Sequence, residues 1–217
     1  MAMDLFIIVL ACILLPILLY YEYKEVPKVV VPVKTTLSAL FIVTALLQPD
    51  PVPSYFRYVL FGLLFCLGGD VFLALPQDRV FRLGLVSFLI GHVFYVIAFF
   101  STGDISAWTL WGTLIVLVVS GWIYLWLKPH LGDMKGPVLA YIVVISIMVT
   151  GAWSIAGASI LPWTGRVLVF SGAVCFYVSD IFVARDRFVK KEPLNRFAGL
   201  PLYYGGQFLL AFSVGQL

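Results

Sequence analysis

The chain has 217 residues, of which 62% are hydrophobic and only 12% charged, and its mean hydropathy is +1.05. Soluble domains run at about 45–50% apolar and about 25% charged residues, so a soluble globular fold is excluded. Fourteen Lys and Arg against eleven Asp and Glu leave a balance of +3, too slight and too scattered for a nucleic-acid-binding surface.

A hydrocarbon core about 30 Å thick takes about 20 apolar residues per helix, and Pro, Gly and charge divide the chain at that interval. The first apolar run, Asp4 to Tyr21, has no basic segment before it and no small-residue cleavage site behind it. It reads as a first membrane helix rather than a removable signal peptide. Seven more follow: Val29 to Leu47, Tyr55 to Leu75, Phe81 to Phe100, Trp108 to Leu127, Val138 to Ala156, Gly165 to Ala184 and Phe197 to Val214. The connections are too short to fold by themselves, so the expectation is one all-α domain over residues 1–217, an eight-transmembrane-helix bundle whose site is built from helices and their ends. Cys12, Cys66 and Cys175 lie inside apolar runs without a Cys or His at ligand spacing, so neither a disulfide framework nor a metal site is expected. Two histidines are too few for a three-histidine zinc centre, and no nucleotide-binding loop is present, so no cofactor is expected.

Assigning each basic residue to the nearer helix end puts all but Arg57 and Arg166 in the odd-numbered connections. Positive charge concentrates on the cytoplasmic side of short loops, which predicts cytoplasmic odd connections and both termini on the opposite face. A faint repeat accompanies this. Gly62 to Ala74 reads GLLFCLGGDVFLA and Gly172 to Ala184 reads GAVCFYVSDIFVA, each with Gly, then Asp eight residues on, then an apolar residue and Phe. These are the third and seventh helices, which cross in the same direction, as a parallel 4+4 duplication requires; chance similarity between two apolar helices is the alternative.

Ionisable groups in hydrocarbon cost at least a few kcal/mol each, so those present are the first candidates for function. Asp70 and Asp180 stand at matching depth, about 7 Å from the cytoplasmic ends of their helices at 1.5 Å per residue. Gly62, Cys66, Gly69 and Asp70 share one helical face, as do Gly172, Ser179 and Asp180, so small residues should turn both carboxylates into the bundle. The alternative is that each Asp only bridges a helix contact. Lys34 lies near the same depth, placed to pair with an Asp, to bind a phosphate, or simply to snorkel to the interface. His92 falls near mid-membrane on a stripe with Gly84, Ser87, Gly91 and Tyr95, where a satisfied core histidine competes with a functional one. Tyr203, Tyr204 and Gln207 open the last helix; a tyrosine there is commonly an interfacial anchor, whereas a buried amide needs partners.

At these residues the sequence resembles the YhhN family, the lysoplasmalogenases. The likeness runs through LGGDVFLA (Leu67 to Ala74), FRLGLVSFLIGHVFY (Phe81 to Tyr95), VSDIFVARDRF (Val178 to Phe188) and YYGGQFLLA (Tyr203 to Ala211), in that order and spacing. The resemblance implies a catalytic pair at Asp70 and Asp180, surrounded by Lys34, His92, Tyr95, Tyr204 and Gln207. Gly205-Gly206 and Thr35 depart from the family pattern without touching a proposed reacting group. The implied reaction is hydrolysis of the vinyl ether bond of lysoplasmalogen, a lysophospholipid drawn from the membrane, to a fatty aldehyde and glycerophosphoethanolamine or glycerophosphocholine.

Paired carboxyls suit that chemistry. Protonating the alkene carbon creates an oxocarbenium-like cation, the type of charge that paired carboxylates manage in glycosidases, and two close carboxyls share protons so that one is neutral while the other is ionised. Lys34 or Arg187 would meet the phosphate, and Tyr204 or another aromatic would cover an ammonium head group. The competing readings are a proton-coupled transporter using Asp70, Asp180 and His92 as a path between two halves, and a non-catalytic lipid-binding scaffold. The polar groups cluster in one half of the membrane, which favours an enzyme opening to one leaflet.

Overall fold

The computed structural model describes residues 2–75 and 78–217. Among them eight helices are long and apolar enough to cross a membrane: α1 (Ala2–Tyr23), α2 (Pro27–Leu47), α3 (Pro53–Ala74), α4 (Asp78–Thr102), α5 (Ala107–Leu127), α6 (Lys135–Gly157), α7 (Trp163–Ala184) and α8 (Pro193–Ser213). The chain is therefore an integral, multi-pass membrane protein. Its helices start and stop for local reasons. Pro27, Pro53 and Pro193 occupy first helical positions, where the missing N–H costs nothing. At the start of α5 the Ser106 N–H donates to Thr109 Oγ1 at 3.1 Å. α1 ends where Val26 N–H bonds the Tyr21 carbonyl and Glu25 N–H bonds that of Glu22, with Glu25 at φ 54° in the place usually taken by glycine. α7 runs on through a wider turn, Arg185–Val189, closed by Lys190 N–H on the Arg185 carbonyl.

Six helices make a ring in the order α2, α3, α4, α6, α7, α8, with α8 returning to α2; α1 lies outside against α2 and α8, and α5 outside against α6. The outer helices turn Phe6, Ile13, Trp111, Val118 and Trp122 outward, as lipid-facing surfaces do. The two halves repeat each other's pairings. α3 packs most extensively on α4 and α7 on α8, α2 meets α3 as α6 meets α7, and α2 touches α8 as α6 touches α4. The close pairs cross at equivalent glycines: a Cβ on Gly91 would lie 3.0 Å from the Gly62 carbonyl, and one on Gly206 would lie 2.8 Å from that of Gly172. Lipid tails are as apolar as side chains, so helices associate through such backbone approach rather than through burial from water.

Candidate active site

The small-residue faces that let α3 meet α4, and α7 meet α8, also carry the two aspartates. Each stands four residues before its helix end at Ala74 or Ala184, about 6 Å along the axis. Both line one cavity of about 1100 Å³, whose walls come from the ends of the helices at the odd-numbered connections. Toward the opposite end the bundle is packed by fully buried Tyr55, Tyr95, Phe99 and Phe176.

Asp70 is 1% exposed and is met from two other helices. From α2, the Lys34 ammonium lies 3.6 Å from Oδ1 and the Ser38 hydroxyl 2.6 Å from Oδ2. From α8, the Tyr203 hydroxyl donates to the same Oδ2 at 2.5 Å. Ser38 also lies 3.0 Å from the Lys34 carbonyl, but its single hydrogen serves the closer carboxylate oxygen. Lys34 does not snorkel. It is 3% exposed, two turns inside α2, with its charge on Asp70.

Asp180 is less enclosed, with 19% of its side chain exposed. Tyr141 of α6 donates to its Oδ2 at 2.6 Å, and His92 Nε2 of α4 faces that oxygen at 3.9 Å. The two surroundings follow the repeat: Asp70 of α3 is met by α2 and α8, and Asp180 of α7 by α6 and α4. What differs is the chemistry of the partners.

The sequence-predicted residues divide by position. Lys34, Asp70, Asp180 and Arg187 line the cavity. His92, Tyr95, Tyr204 and Gln207 are buried and are not among its lining. Tyr95 donates to Gln207 Oε1 at 2.8 Å, with Cys66 Sγ 3.9 Å from the Tyr95 hydroxyl, while Tyr204, on the side of α1 and α2, faces the Lys34 carbonyl at 3.4 Å. Of the adjacent pair on α8, it is Tyr203 rather than Tyr204 that reaches the cavity. Arg187 stands at the rim with its guanidinium over Phe81, 4.4 Å from the ring centre. Ser38 and Tyr141 had no sequence signal of their own, apart from Ser38 standing one turn after Lys34.

At the mouth a band of ion pairs ties the α1–α2 turn to the α7–α8 connection. Lys191 meets Glu25, Arg196 meets both Glu22 and Asp186, and Glu192 is held by Arg185 and Lys190. Lys191 beside Glu25 holds that carboxyl below the usual carboxylate range, and Lys190 with Arg185 does the same to Glu192. Inside, the wall formed by Phe81, Leu85, Ile123, Leu127, Val138, Ile142 and Ile145 is apolar. Among the described residues no cluster of His, Cys, Asp or Glu is placed to hold a metal ion.

These features define a class: a polytopic membrane protein with a cavity at one end of its bundle and two intramembrane carboxylates at the cavity floor. Residues 28–214 match the model of the YhhN family, and the chain belongs to that family. It is 31% identical over 157 residues to lysoplasmalogenase TMEM86A of Bos taurus, a match covering 70% of this chain and 62% of that protein. With the Homo sapiens protein of the same name the identity is 33% over 156 residues, with the same coverage. A lysoplasmalogenase of Mycobacterium bovis is 30% identical over 163 residues, covering 70% of this chain and 58% of that one. The chain thus spans about three-fifths of the length of these relatives. No solved structure matches it.

Proposed function

We propose that the protein hydrolyses the vinyl ether bond of lysoplasmalogen by acid–base catalysis between Asp70 and Asp180, releasing a fatty aldehyde and a glycerophosphodiester. The observation that carries this reading is the pairing of two carboxylates, on equivalent helices at equal depth, in one cavity with a charged mouth and an apolar inner wall. A lysolipid keeps its head group at the interface, its linkage a few ångström deeper and its single chain toward the midplane, which matches charged rim, carboxylates and apolar wall in turn. Relatives named lysoplasmalogenase add support. One carboxyl protonates the alkene carbon, the other faces the cation that results, and water completes the hydrolysis. Lys34, which shares its charge with Asp70, and Arg187 at the rim are cations that the phosphate would meet on the way in.

The test is release of fatty aldehyde from lysoplasmalogen by the purified protein in detergent, in excess chelator, compared with a saturated alkyl-ether lysolipid. The alkyl ether has the same head group and chain but no alkene carbon to protonate. It should inhibit competitively and stay intact; loss of activity in chelator that zinc restores would contradict the reading.

A further inference from the structure

Asp70 and Asp180 sit in opposite chemical surroundings. Around Asp70 stand one cation and two hydroxyl donors, Lys34, Ser38 and Tyr203, all of which stabilise a carboxylate. Around Asp180 stand one donor and one bare acceptor. His92 Nδ1 lies 2.7 Å from the Phe88 carbonyl, and a carbonyl only accepts, so the ring hydrogen is on Nδ1 and Nε2 presents its lone pair. Nε2 is buried, has no hydrogen-bond partner among the described residues, and points at Asp180 Oδ2 across 3.9 Å. Two acceptors facing each other at a site where one of them is fully buried are costly, and a proton between them removes the conflict.

We propose that Asp180, sharing a proton with His92, is the acid of the reaction, and that Asp70 is the fixed anion. This division of labour rests on the vinyl ether reading above. Asp180 adds its proton to the alkene carbon; the π electrons form the new C–H bond, leaving positive charge on the ether-bearing carbon and its oxygen, which the Asp70 carboxylate stabilises. Water adds through its oxygen to that carbon and returns a proton to Asp180, restoring the acid. The hemiacetal hydroxyl hydrogen passes to the glyceryl oxygen as the C–O bond breaks, which frees the aldehyde and the alcohol. His92 and Tyr141 are positioning residues that act through Asp180. The other titratable groups around the pair are Cys66 and Asp70 from α3, Tyr95 from α4, Lys34 from α2, Tyr177 from α7 and Tyr203 from α8, while α5 brings only Ile123 and Leu127 to the cavity.

Two measurements test this. In infrared spectra of the resting protein at neutral pH, a carboxylic-acid C=O stretch should be present, vanish in Asp180→Asn, persist in Asp70→Asn, and move to higher frequency in His92→Phe as the acid proton loses the acceptor it faces. Absence of the band in the wild type, or its loss in Asp70→Asn instead, overturns the assignment. In aldehyde release, the basic limb of the kcat/KM profile should move to lower pH in His92→Phe, which loses an acceptor for the acid form. It should move to higher pH in Tyr141→Phe, which loses a donor to the anion; each shift is about half a unit or more. His92→Gln, whose amide oxygen accepts, should bring the limb back toward wild type. Limbs that stay in place while activity falls, or that move together, leave these residues a structural role and refute the proposal. If the wild type releases no aldehyde, the vinyl ether reading falls, and the infrared arm still decides which carboxyl holds the proton.

Discussion

Replacing Lys34 by Met removes the cation 3.6 Å from a carboxylate that is 1% exposed. Breaking a buried ion pair by deleting one partner costs about 3–5 kcal/mol, because the surviving charge is left uncompensated. Asp70 would keep two hydroxyl donors, Ser38 and Tyr203, so the lower figure of about 3 kcal/mol applies. For a chain of this size each kcal/mol moves the midpoint by about 2–4 °C, which gives a drop of about 6–12 °C. The double variant Lys34→Met/Asp70→Asn removes both charges and should recover most of that stability, to within about 1 kcal/mol of wild type. Thermal unfolding in detergent, followed by the fluorescence of the six tryptophans, reads both variants. A Lys34→Met protein as stable as wild type, or a double variant no more stable than the single, would refute the buried pair. The double variant also separates roles: a residue that only bridges helices is dispensable once its partner is gone, whereas a catalytic Asp70 leaves a stable but inactive protein.

Reporter fusions at the C-terminus and in the Arg185 to Arg196 connection should report opposite sides of the membrane, the connection cytoplasmic; the same side for both would break the eight-helix topology. The mouth ion pairs carry a pH dependence of known sign. The folded carboxyls of Glu25 and Glu192 lie below the ordinary value of 4.5, so their contribution is present above 4.5 and lost as pH falls through the lower folded values. Glu25 is exposed and Glu192 partly so, and both face the aqueous mouth, so the effect is small and screened by salt. Glu25→Gln/Glu192→Gln should narrow the difference between thermal midpoints at neutral and acid pH, most visibly at low ionic strength; an unchanged difference would deny these pairs a part in holding the mouth.

The eight spans were legible because hydrocarbon thickness fixes helix length and few charges interrupt the runs. Their ends were less so. α8 starts at Pro193 rather than Phe197, since a first-position proline extends a helix through polar residues that hydropathy leaves outside. That α1 and α5 stand outside the ring was not legible, because membrane helices are apolar all round and hydropathy does not tell a lipid face from a packed one. Asp70 and Asp180 announced themselves as charges in apolar runs. Their partners did not: a serine or tyrosine in such a helix is common, and only the packing of α2 and α8 on α3, and of α6 on α7, brings Ser38 and Tyr203 to Asp70 and Tyr141 to Asp180. The two short segments that look alike carry the two aspartates, and the helix pairings around them correspond: α2 and α8 meet Asp70, α6 and α4 meet Asp180, with different chemistry from each side.

Whether the two carboxylates perform the hydrolysis is decided by aldehyde release from lysoplasmalogen with purified wild-type, Asp70→Asn and Asp180→Asn proteins of matched thermal stability. The wild type should release aldehyde and each variant should lose more than about 10²-fold, because Asn keeps size and hydrogen bonding but cannot cycle a proton or carry the charge. Near-normal release by either well-folded variant would remove that aspartate from the mechanism.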